Sequence, residues 1–240
     1  MTIKIKTDSK EIFKRFVDEF FDKVGFEETR GRFDGDRRQR RAGKYGEAII
    51  IDEIGLDLET DYIEPRFPEA KIFDRPGGDY GIDVDWDGVH IDVKTLIVKV
   101  PVSPGISKVF YHNYNKGQAQ DPDNKTDIII FCIMNVEERM IAVCGAISKQ
   151  EMTDPEYSIP RVKGEEKIRP GGSIHKYRAD EYEIQQWQIV NFEKTQDMKG
   201  YIYAYGQYKK GDVNTFQRAE KKRISHDPEE EIHTGNGIPA

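Results

Sequence analysis

The stretch GGDYGIDVDWDGVHIDVKT, residues 77–95, places five aspartates and one lysine in nineteen positions that otherwise alternate like two short β-strands. At its centre, Asp87-Gly88 is a strong signal for a two-residue hairpin, because a type I′ turn needs positive φ at both central residues and Asp-Gly tolerates it. This turn fixes the register by setting Trp86 opposite Val89. We therefore predict a β-hairpin, and its register decides which side chains meet.

Side chains alternate between the two sides of a strand, so the predicted hairpin has one apolar face and one charged face. The apolar face, which we expect to meet the core, consists of Ile82, Val84, Trp86, Val89, Ile91 and Val93. The charged face consists of Asp83, Asp85, Asp87, His90, Asp92 and Lys94. On this face Asp83 lies directly across from Asp92, with side-chain roots about 4.5–5.5 Å apart, where like charges destabilise a sheet.

A divalent cation between Asp83 and Asp92 would offset their repulsion, and Mg²⁺ prefers oxygen ligands from one or two carboxylates plus water. Lys94 shares this face, and a lysine beside such an ion and a phosphate can orient a nucleophile and stabilise negative charge. The alternative is a solvated face on which Lys94 is only a salt-bridge partner. The apolar continuation TLIVKV, residues 95–100, favours a cleft over a sheet edge in water.

The segment upstream of the hairpin has a net charge opposite in sign to that of the whole chain. RGRFDGDRRQRRAGK, residues 30–44, holds six arginines and one lysine against two aspartates, a local net charge of +5. Two interpretations stay open: a solvated loop, or an arm whose arginine forks contact phosphates. The candidate phosphate contacts are Arg30, Arg32, Arg37, Arg38, Arg40, Arg41 and Lys44. The next segment, YGEAIIIDEIGLDL (45–58), predicts an amphipathic helix with Glu47 in its first turn.

Periodicity predicts the remaining elements. Residues 8–24 carry a helical apolar stripe, and TDIIIFCIMN (126–135) is typical of a strand buried on both faces. RMIAVCGAIS (139–148) predicts a neighbouring strand, so the pattern indicates an α/β layer with a mixed sheet. EYEIQQWQIVNF (181–192) and GYIYAYGQYKKG (200–211) predict two later strands, the second with Tyr201, Tyr203 and Tyr205 on one face.

Composition bounds the cellular setting and the partners. The formal charge is −7 and the sequence pI is about 5.4, so the whole protein is not a basic nucleic-acid coat, although a local patch can hold a polyanion. Cys132 and Cys144 lie in apolar runs, which favours buried free thiols. The N-terminal residues lack a signal-peptide pattern, and no window reaches about eighteen uninterrupted apolar residues. We expect a cytoplasmic protein, in the host cytoplasm if phage-encoded, without membrane contact.

GIDVDWDGVHIDVKT resembles the signature of the PD-(D/E)xK nuclease superfamily, an acidic residue on one strand followed after a short turn by a D/E-x-K tripeptide. Asp83 and Asp92-Val93-Lys94 match these positions, and Glu47 in YGEAIII matches the acidic residue on the preceding helix. Isoleucine, not proline, precedes Asp83. The resemblance covers residues 40–135.

The resemblance implies a restriction-endonuclease-like α/β fold, with an αβββαβ core, a central mixed sheet flanked by helices and a β-containing C-terminal extension. We divide the chain into an N-terminal helix of the core (1–29), a nuclease core that includes the arginine-rich segment 30–44 (30–150), an extension packed on the core (151–215) and a disordered tail (216–240).

The resemblance also implies Mg²⁺-dependent hydrolysis of a DNA phosphodiester, with Mn²⁺ able to substitute. Asp83, Asp92 and the Val93 carbonyl would hold the ion. Glu47 would bind a second ion or a metal-bound water, and Lys94 would position the attacking water. Double-strand cutters with one site per chain commonly pair about a two-fold axis, which leaves a homodimer open.

Three assignments within the motif keep alternatives. Gln118 could be an accessory polar residue on a following helix or a surface glutamine, and His90 could touch substrate or form a salt bridge to Asp85. Asp79 and Asp85 compete with Asp83 for the first acidic position, which face and register assign to Asp83.

Other functional classes also fit the sequence. One is a non-catalytic nucleic-acid-binding module on the same scaffold, and another is a protein that binds partners through its acidic surface. Two cysteines argue against the iron–sulfur branch of these nucleases, which needs four thiolates.

Overall fold

A computed structural model of the protein describes residues 2–4, 37–56, 83–102, 111–135, 140–168, 172, 174–185 and 188–211. The helices are α1 (Arg37–Ile54), α2 (Lys116–Gln120), α3 (Lys149–Met152) and α4 (Thr195–Lys210). The strands are β1 (Thr2–Lys4), β2 (Val84–Trp86), β3 (Val89–Ile97), β4 (Tyr111–Asn115), β5 (Ile128–Asn135), β6 (Met140–Ser148), β7 (Ile159–Arg161), β8 (Glu166–Ile168), β9 (Ile174–Lys176), β10 (Glu181–Gln185) and β11 (Val190–Asn191). These elements confirm the α/β class.

The central sheet is mixed, as the sequence predicts. Its order is β1-β6-β5-β3-β2, and β11 also pairs with β6. Strand β3 runs parallel to β5, with Asp92 beside Ile129 and Lys94 beside Phe131, while the other pairs are antiparallel. Every residue of β5 is buried, which confirms the prediction of a strand covered on both faces.

The predicted hairpin forms in the predicted register between Val84 and Ile91. Asp87 and Gly88 have φ of 51° and 79°, the positive values that a type I′ turn requires. The ladder, however, begins at Val84, so Asp83 lies one residue before β2, with its N–H donating to the Ile91 carbonyl over 2.9 Å.

Each side of the central sheet packs into its own core. One core contains α1, the apolar face of the hairpin and part of α4. The other lies between the central sheet and a second, three-stranded sheet of order β4-β10-β7. The charged face of β3 thus turns toward the second sheet, and this is why Asp92 is buried.

Helix α1 differs from the predicted helix at its beginning. It starts at Arg37 and continues for 18 residues, so the second half of the arginine-rich segment is helical and not a loop. Glu47 consequently lies in the middle of the helix and not in its first turn. Arginine, glutamine and alanine are good helix formers, which explains the extension toward the N-terminus.

The predicted strand at residues 200–211 is wrong, because this segment belongs to α4. The tyrosines alternate like a strand, but Met198, Tyr201 and Ile202 also follow helical spacing, and all three are buried in the core. Gly211 ends the helix with φ of 81°, the left-handed conformation typical of a C-terminal cap. Tyr203 is exposed on the opposite side.

Several expectations fall outside the described residues: the helix at 8–24, Arg30, Arg32, Asp79, Ile82 and the tail 216–240. For Arg37, Arg38, Arg40 and Arg41 the helical backbone is described but the side chains are not. Cys132 and Cys144 are buried free thiols, as predicted. None of the described helices is long and apolar enough to cross a membrane.

Candidate active site

Asp83 and Asp92, here called the acid pair, meet at the start of the hairpin and share a hydrogen bond. Asp92 lies in the middle of β3 and is 1 % exposed, and Asp83 is 8 % exposed. The Val93 N–H donates to Asp83 Oδ2 over 2.7 Å, which holds this carboxyl group against β3. The register prediction therefore brought together two residues that do contact each other.

Lys94 completes the predicted tripeptide. Its Nζ lies 2.8 Å from Asp92 Oδ1, and its side chain is 35 % exposed, so the amine lies at the border between the buried acids and solvent. It also lies over the ring of Tyr114, 5.3 Å from the centroid.

Two further side chains position Asp92, Tyr114 on β4 of the second sheet and Gln118 on α2. The Tyr114 hydroxyl donates to Asp92 Oδ2 over 2.7 Å, and Gln118 Nε2 donates to the same oxygen over 3.4 Å. Asn124 holds this arrangement by donating to the Tyr114 hydroxyl and the Gln118 carbonyl. Gln118 is thus placed beside the acid pair, and Tyr114 and Asn124 are site residues that the sequence reasoning missed.

Glu47 is 4 % exposed on α1 and forms an ion pair with Lys44, with 2.6 Å between Nζ and Oε2. The helix approaches β3 closely at Gly46, where a Cβ would lie 2.1 Å from Thr95 Oγ1. Lys44 was predicted as a phosphate contact, but its amine turns inward, where its charge also acts on Asp83.

The pKa values of the two carboxyl groups of the acid pair are shifted in opposite directions. Burial raises the pKa of Asp92 to about 8, and the charge of Asp83 adds to this rise although Lys94 opposes it. Burial also raises the pKa of Asp83, but the charges of Lys44 and Lys94 act against it. Together with hydrogen bonds from Asp92 and the Val93 N–H, they hold the Asp83 pKa below its ordinary value. Near neutral pH the metal-free pair therefore holds one proton, on Asp92.

His90 lies on the same strand, but its contacts are with the other arm of the hairpin and with residues 125 and 127. Its Nε2 is 3.5 Å from Asp85 Oδ2, and its Nδ1 is 3.1 Å from the Lys125 carbonyl oxygen. Its backbone N–H donates to Asp127 Oδ2 over 2.8 Å. These contacts fit the salt-bridge alternative for His90.

The two carboxyl groups of the acid pair are of the kind that Mg²⁺ uses as ligands. Among the described residues no group of three or more histidine, cysteine, aspartate and glutamate side chains is arranged to hold a metal. Glu47 is paired with Lys44. Mg²⁺, however, commonly uses only one or two carboxylates, with water and substrate phosphates as its other ligands. Asp83 and Asp92 offer these two carboxylates, and a divalent ion could take the place of the proton that they hold in its absence.

Comparison with known proteins gives no relative. No protein-family model, curated protein or solved structure matches this chain. Function is therefore inferred from the chemistry of the site.

Proposed function

We propose that the protein is a Mg²⁺-dependent DNA endonuclease with a restriction-endonuclease-like fold, and that the acid pair and Lys94 form its catalytic centre. The observation that carries the proposal is a buried pair of carboxyl groups in contact with a half-exposed lysine. Burying two acids side by side is costly, and groups with strongly shifted pKa values occur most often at functional sites.

The order of elements supports the fold assignment. Among the described elements, α1, β2, β3, β4, α2 and β5 follow the order helix, three strands, helix, strand of the αβββαβ core, with residues 57–82 and 103–110 outside the description. Glu47 lies on the helix and Asp92 on β3, while Asp83 lies one residue before β2. Strand β4 departs from a single-sheet arrangement because it pairs with β10.

The charge balance of the site supports binding of a cation and then of a phosphate. Three acids, Glu47, Asp83 and Asp92, are balanced by Lys44, Lys94 and one proton, so the metal-free site is neutral. Replacing the proton by a divalent ion makes it positive by one charge, which favours an anionic phosphodiester. Bound Mg²⁺ would supply Lewis-acid stabilisation of charge on the scissile phosphate.

The residues of the chain have separate tasks in hydrolysis. Asp83, Asp92 and the Val93 carbonyl would hold the ion, and Tyr114 and Gln118 keep Asp92 in its orientation. The ammonium group of Lys94, whose side chain is 35 % exposed, donates a hydrogen bond to the attacking water and so orients it. It stabilises the negative charge on the phosphate while the water oxygen bonds to phosphorus and the bond to the leaving oxygen breaks. The water releases a proton to solvent, and the leaving oxygen takes one from solvent.

The arginines of α1 are suited to contact the phosphates of DNA. Arg37, Arg38, Arg40 and Arg41 lie within the first five positions of the helix that also carries Glu47. Contacts of arginine with phosphates confer affinity without sequence information, so this grip is compatible with restriction-like and with structure-specific cleavage.

A second candidate is a nucleic-acid-binding module without catalysis. The observation that favours it is the Lys44–Glu47 ion pair, which withdraws one of the three motif acids from metal binding. In such a module the acid pair would keep its single proton, and Lys94 would be only its salt-bridge partner.

Incubation of purified protein with supercoiled plasmid, linear duplex and a four-way junction, each with Mg²⁺ or EDTA, tests the two candidates. We expect cleavage that EDTA abolishes and that Lys94→Ala lowers by at least about 100-fold, with DNA binding retained. Asp85→Asn is the matched control, because Asp85 is an exposed aspartate of the same hairpin and asparagine keeps the acceptor for the Gly88 N–H.

The outcomes are distinct. Binding without cleavage of any substrate by the wild-type protein would establish the module. Cleavage that persists unchanged in Asp92→Ala would show that the catalytic site lies elsewhere.

A further inference from the structure

The segment between β7 and β10 carries an exposed ribbon, β8 and β9, that the catalytic centre does not use. Its strands pair antiparallel, with Ile168 opposite Ile174. Both isoleucines lie in solvent, 73 % and 66 % exposed. Within the described ranges seven large apolar side chains are exposed, and four of them lie between residues 159 and 174: these two isoleucines, Ile159 and Val162.

The ribbon is held firmly at its base. Glu183 of β10 is fully buried and accepts from Lys167 of β8 over 2.8 Å, from the Tyr177 hydroxyl after β9, and from Gln185 over 2.6 Å. Arg161 of β7 adds an ion pair at 3.4 Å. A buried carboxylate with four partners orients the ribbon relative to the second sheet.

The ribbon base is also joined to the candidate active site. Asp180 accepts from the Lys163 N–H through its side chain and from the Lys116 N–H through its carbonyl, over 2.8 and 2.9 Å. Lys116 begins α2, the helix that carries Gln118, and Gln118 contacts Asp92.

Charge identifies the kind of partner. Residues 159–180 hold six lysines and arginines against three acids, a local net charge of +3 in a chain of net charge −7. Arg161 and Lys167 are paired with Glu183. Lys163 and Arg178 are exposed at the base of the ribbon, and the exposed Lys176 lies 3.7 Å from Glu166 across the ribbon. Exposed basic side chains on a ribbon with two exposed isoleucines complement a polyanion that also offers apolar surface, and the major groove of DNA is wide enough for a two-stranded ribbon.

We propose that β8 and β9 form a ribbon that enters the major groove of duplex DNA, with Ile168 and Ile174 against the base edges and the exposed basic residues on the phosphates. This inference rests on the proposed function, because it assigns to the same nuclease the element that grips its duplex beside the cleaved bond.

The test measures binding of a short fluorescent duplex by anisotropy in EDTA, where no cleavage occurs. We expect the double variant Ile168→Ser/Ile174→Ser to bind about tenfold more weakly, as partial burial of two isoleucines implies. Tyr203→Ser is the matched control, an equally exposed apolar residue on α4, and should bind like the wild type. Lys163→Ser/Arg178→Ser should lower the salt slope of binding by about two, because each of these side chains neutralises one phosphate.

Each negative result has its own interpretation, provided that the variants unfold at the temperature of the wild type. Duplex binding and cleavage that are unchanged in the isoleucine double variant would overturn the ribbon proposal and leave the nuclease intact. The same holds if that variant loses binding to anionic phospholipid vesicles but keeps duplex binding. A wild-type protein that neither binds nor cleaves DNA would overturn both proposals.

Discussion

The proton on Asp92 makes the stability of the metal-free protein depend on pH. Asp92 has a pKa of about 8 in the folded protein, well above the ordinary value of an aspartate, so the folded state binds more protons between these two values. Its stabilising contribution is complete below the unfolded pKa and is lost as pH rises through the folded pKa. We expect the unfolding temperature in EDTA to fall as pH rises toward about 8.

Asp92→Asn should flatten this decline, because asparagine accepts the Tyr114 hydrogen bond without a titrating proton. Differential scanning fluorimetry across the pH range measures the difference between the two proteins, and Asp85→Asn should behave like the wild type. Parallel pH curves for wild type and Asp92→Asn would mean that Asp92 is ionised throughout.

Lys44 controls how readily the site accepts a cation. Its amine lies 2.6 Å from Glu47 and its charge acts on Asp83, so it competes with a metal for both carboxylates. We expect Lys44→Gln to raise the affinity for Mn²⁺ about threefold to tenfold, the effect of removing one nearby positive charge. Isothermal titration calorimetry without DNA measures this directly.

Lys99→Gln is the control for the Lys44 variant, because Lys99 is an exposed lysine outside the site. If Lys44 is a phosphate contact instead, Lys44→Gln would weaken DNA binding and leave the Mn²⁺ affinity where it was.

Helix α1, which carries Glu47, approaches β3 closely at Gly46, and two glycines of the helix test this contact. A Cβ at Gly46 would meet Thr95 Oγ1 at 2.1 Å, whereas a Cβ at Gly43 would have no neighbour within 4 Å. We expect Gly46→Ala to destabilise the protein by about 1–3 kcal/mol through overpacking. Gly43→Ala should stabilise it by about 0.5–1 kcal/mol, because alanine is the better helix former.

Chemical denaturation of both variants measures these free energies. Adding Thr95→Ala to Gly46→Ala should recover most of the stability, since it removes the clashing hydroxyl. Equal effects of the two glycine substitutions would show that the helix does not pack against β3 at this point.

How far the sequence predicts each element depends on whether its signal is local. The Asp87-Gly88 turn and side-chain alternation are local, and they correctly predicted the hairpin register and the contact between Asp83 and Asp92. Tyr201, Tyr203 and Tyr205 alternate with the spacing of a strand by coincidence. The segment is helical because the helical stripe of α4 packs against the core. Local patterns alone could not resolve that competition.

Residues that reach the site through long-range pairing were beyond sequence reasoning. Tyr114 contacts Asp92 only because β4 pairs with β10 in a second sheet that covers the charged face of β3. Nothing near Tyr114 in the sequence indicates this pairing. The inward turn of Lys44 was missed for a different reason, because its position in a basic segment suggested a solvent-facing role.

At the scale of the whole molecule, the proposed nuclease would have to bind a polyanion although its own net charge is −7. The acid pair and Glu47 would repel a phosphate, so the sign of the site has to change before DNA can approach. The proton and two lysines neutralise it, and a divalent ion in place of the proton makes it positive. Cation binding and DNA binding are therefore expected to be coupled and reciprocal.

We predict that Ca²⁺, which also takes oxygen ligands, tightens duplex binding by the wild-type protein about threefold to tenfold relative to EDTA at equal ionic strength. Divalent ions normally weaken protein–DNA binding because they compete for the phosphates. Asp83→Asn/Asp92→Asn removes both charges that hold the ion, so Ca²⁺ should weaken duplex binding by this variant. Opposite signs in the two proteins, measured by anisotropy, would demonstrate that the ion acts through the acid pair, whereas weakening in both would show that the site does not bind a cation on the path to DNA.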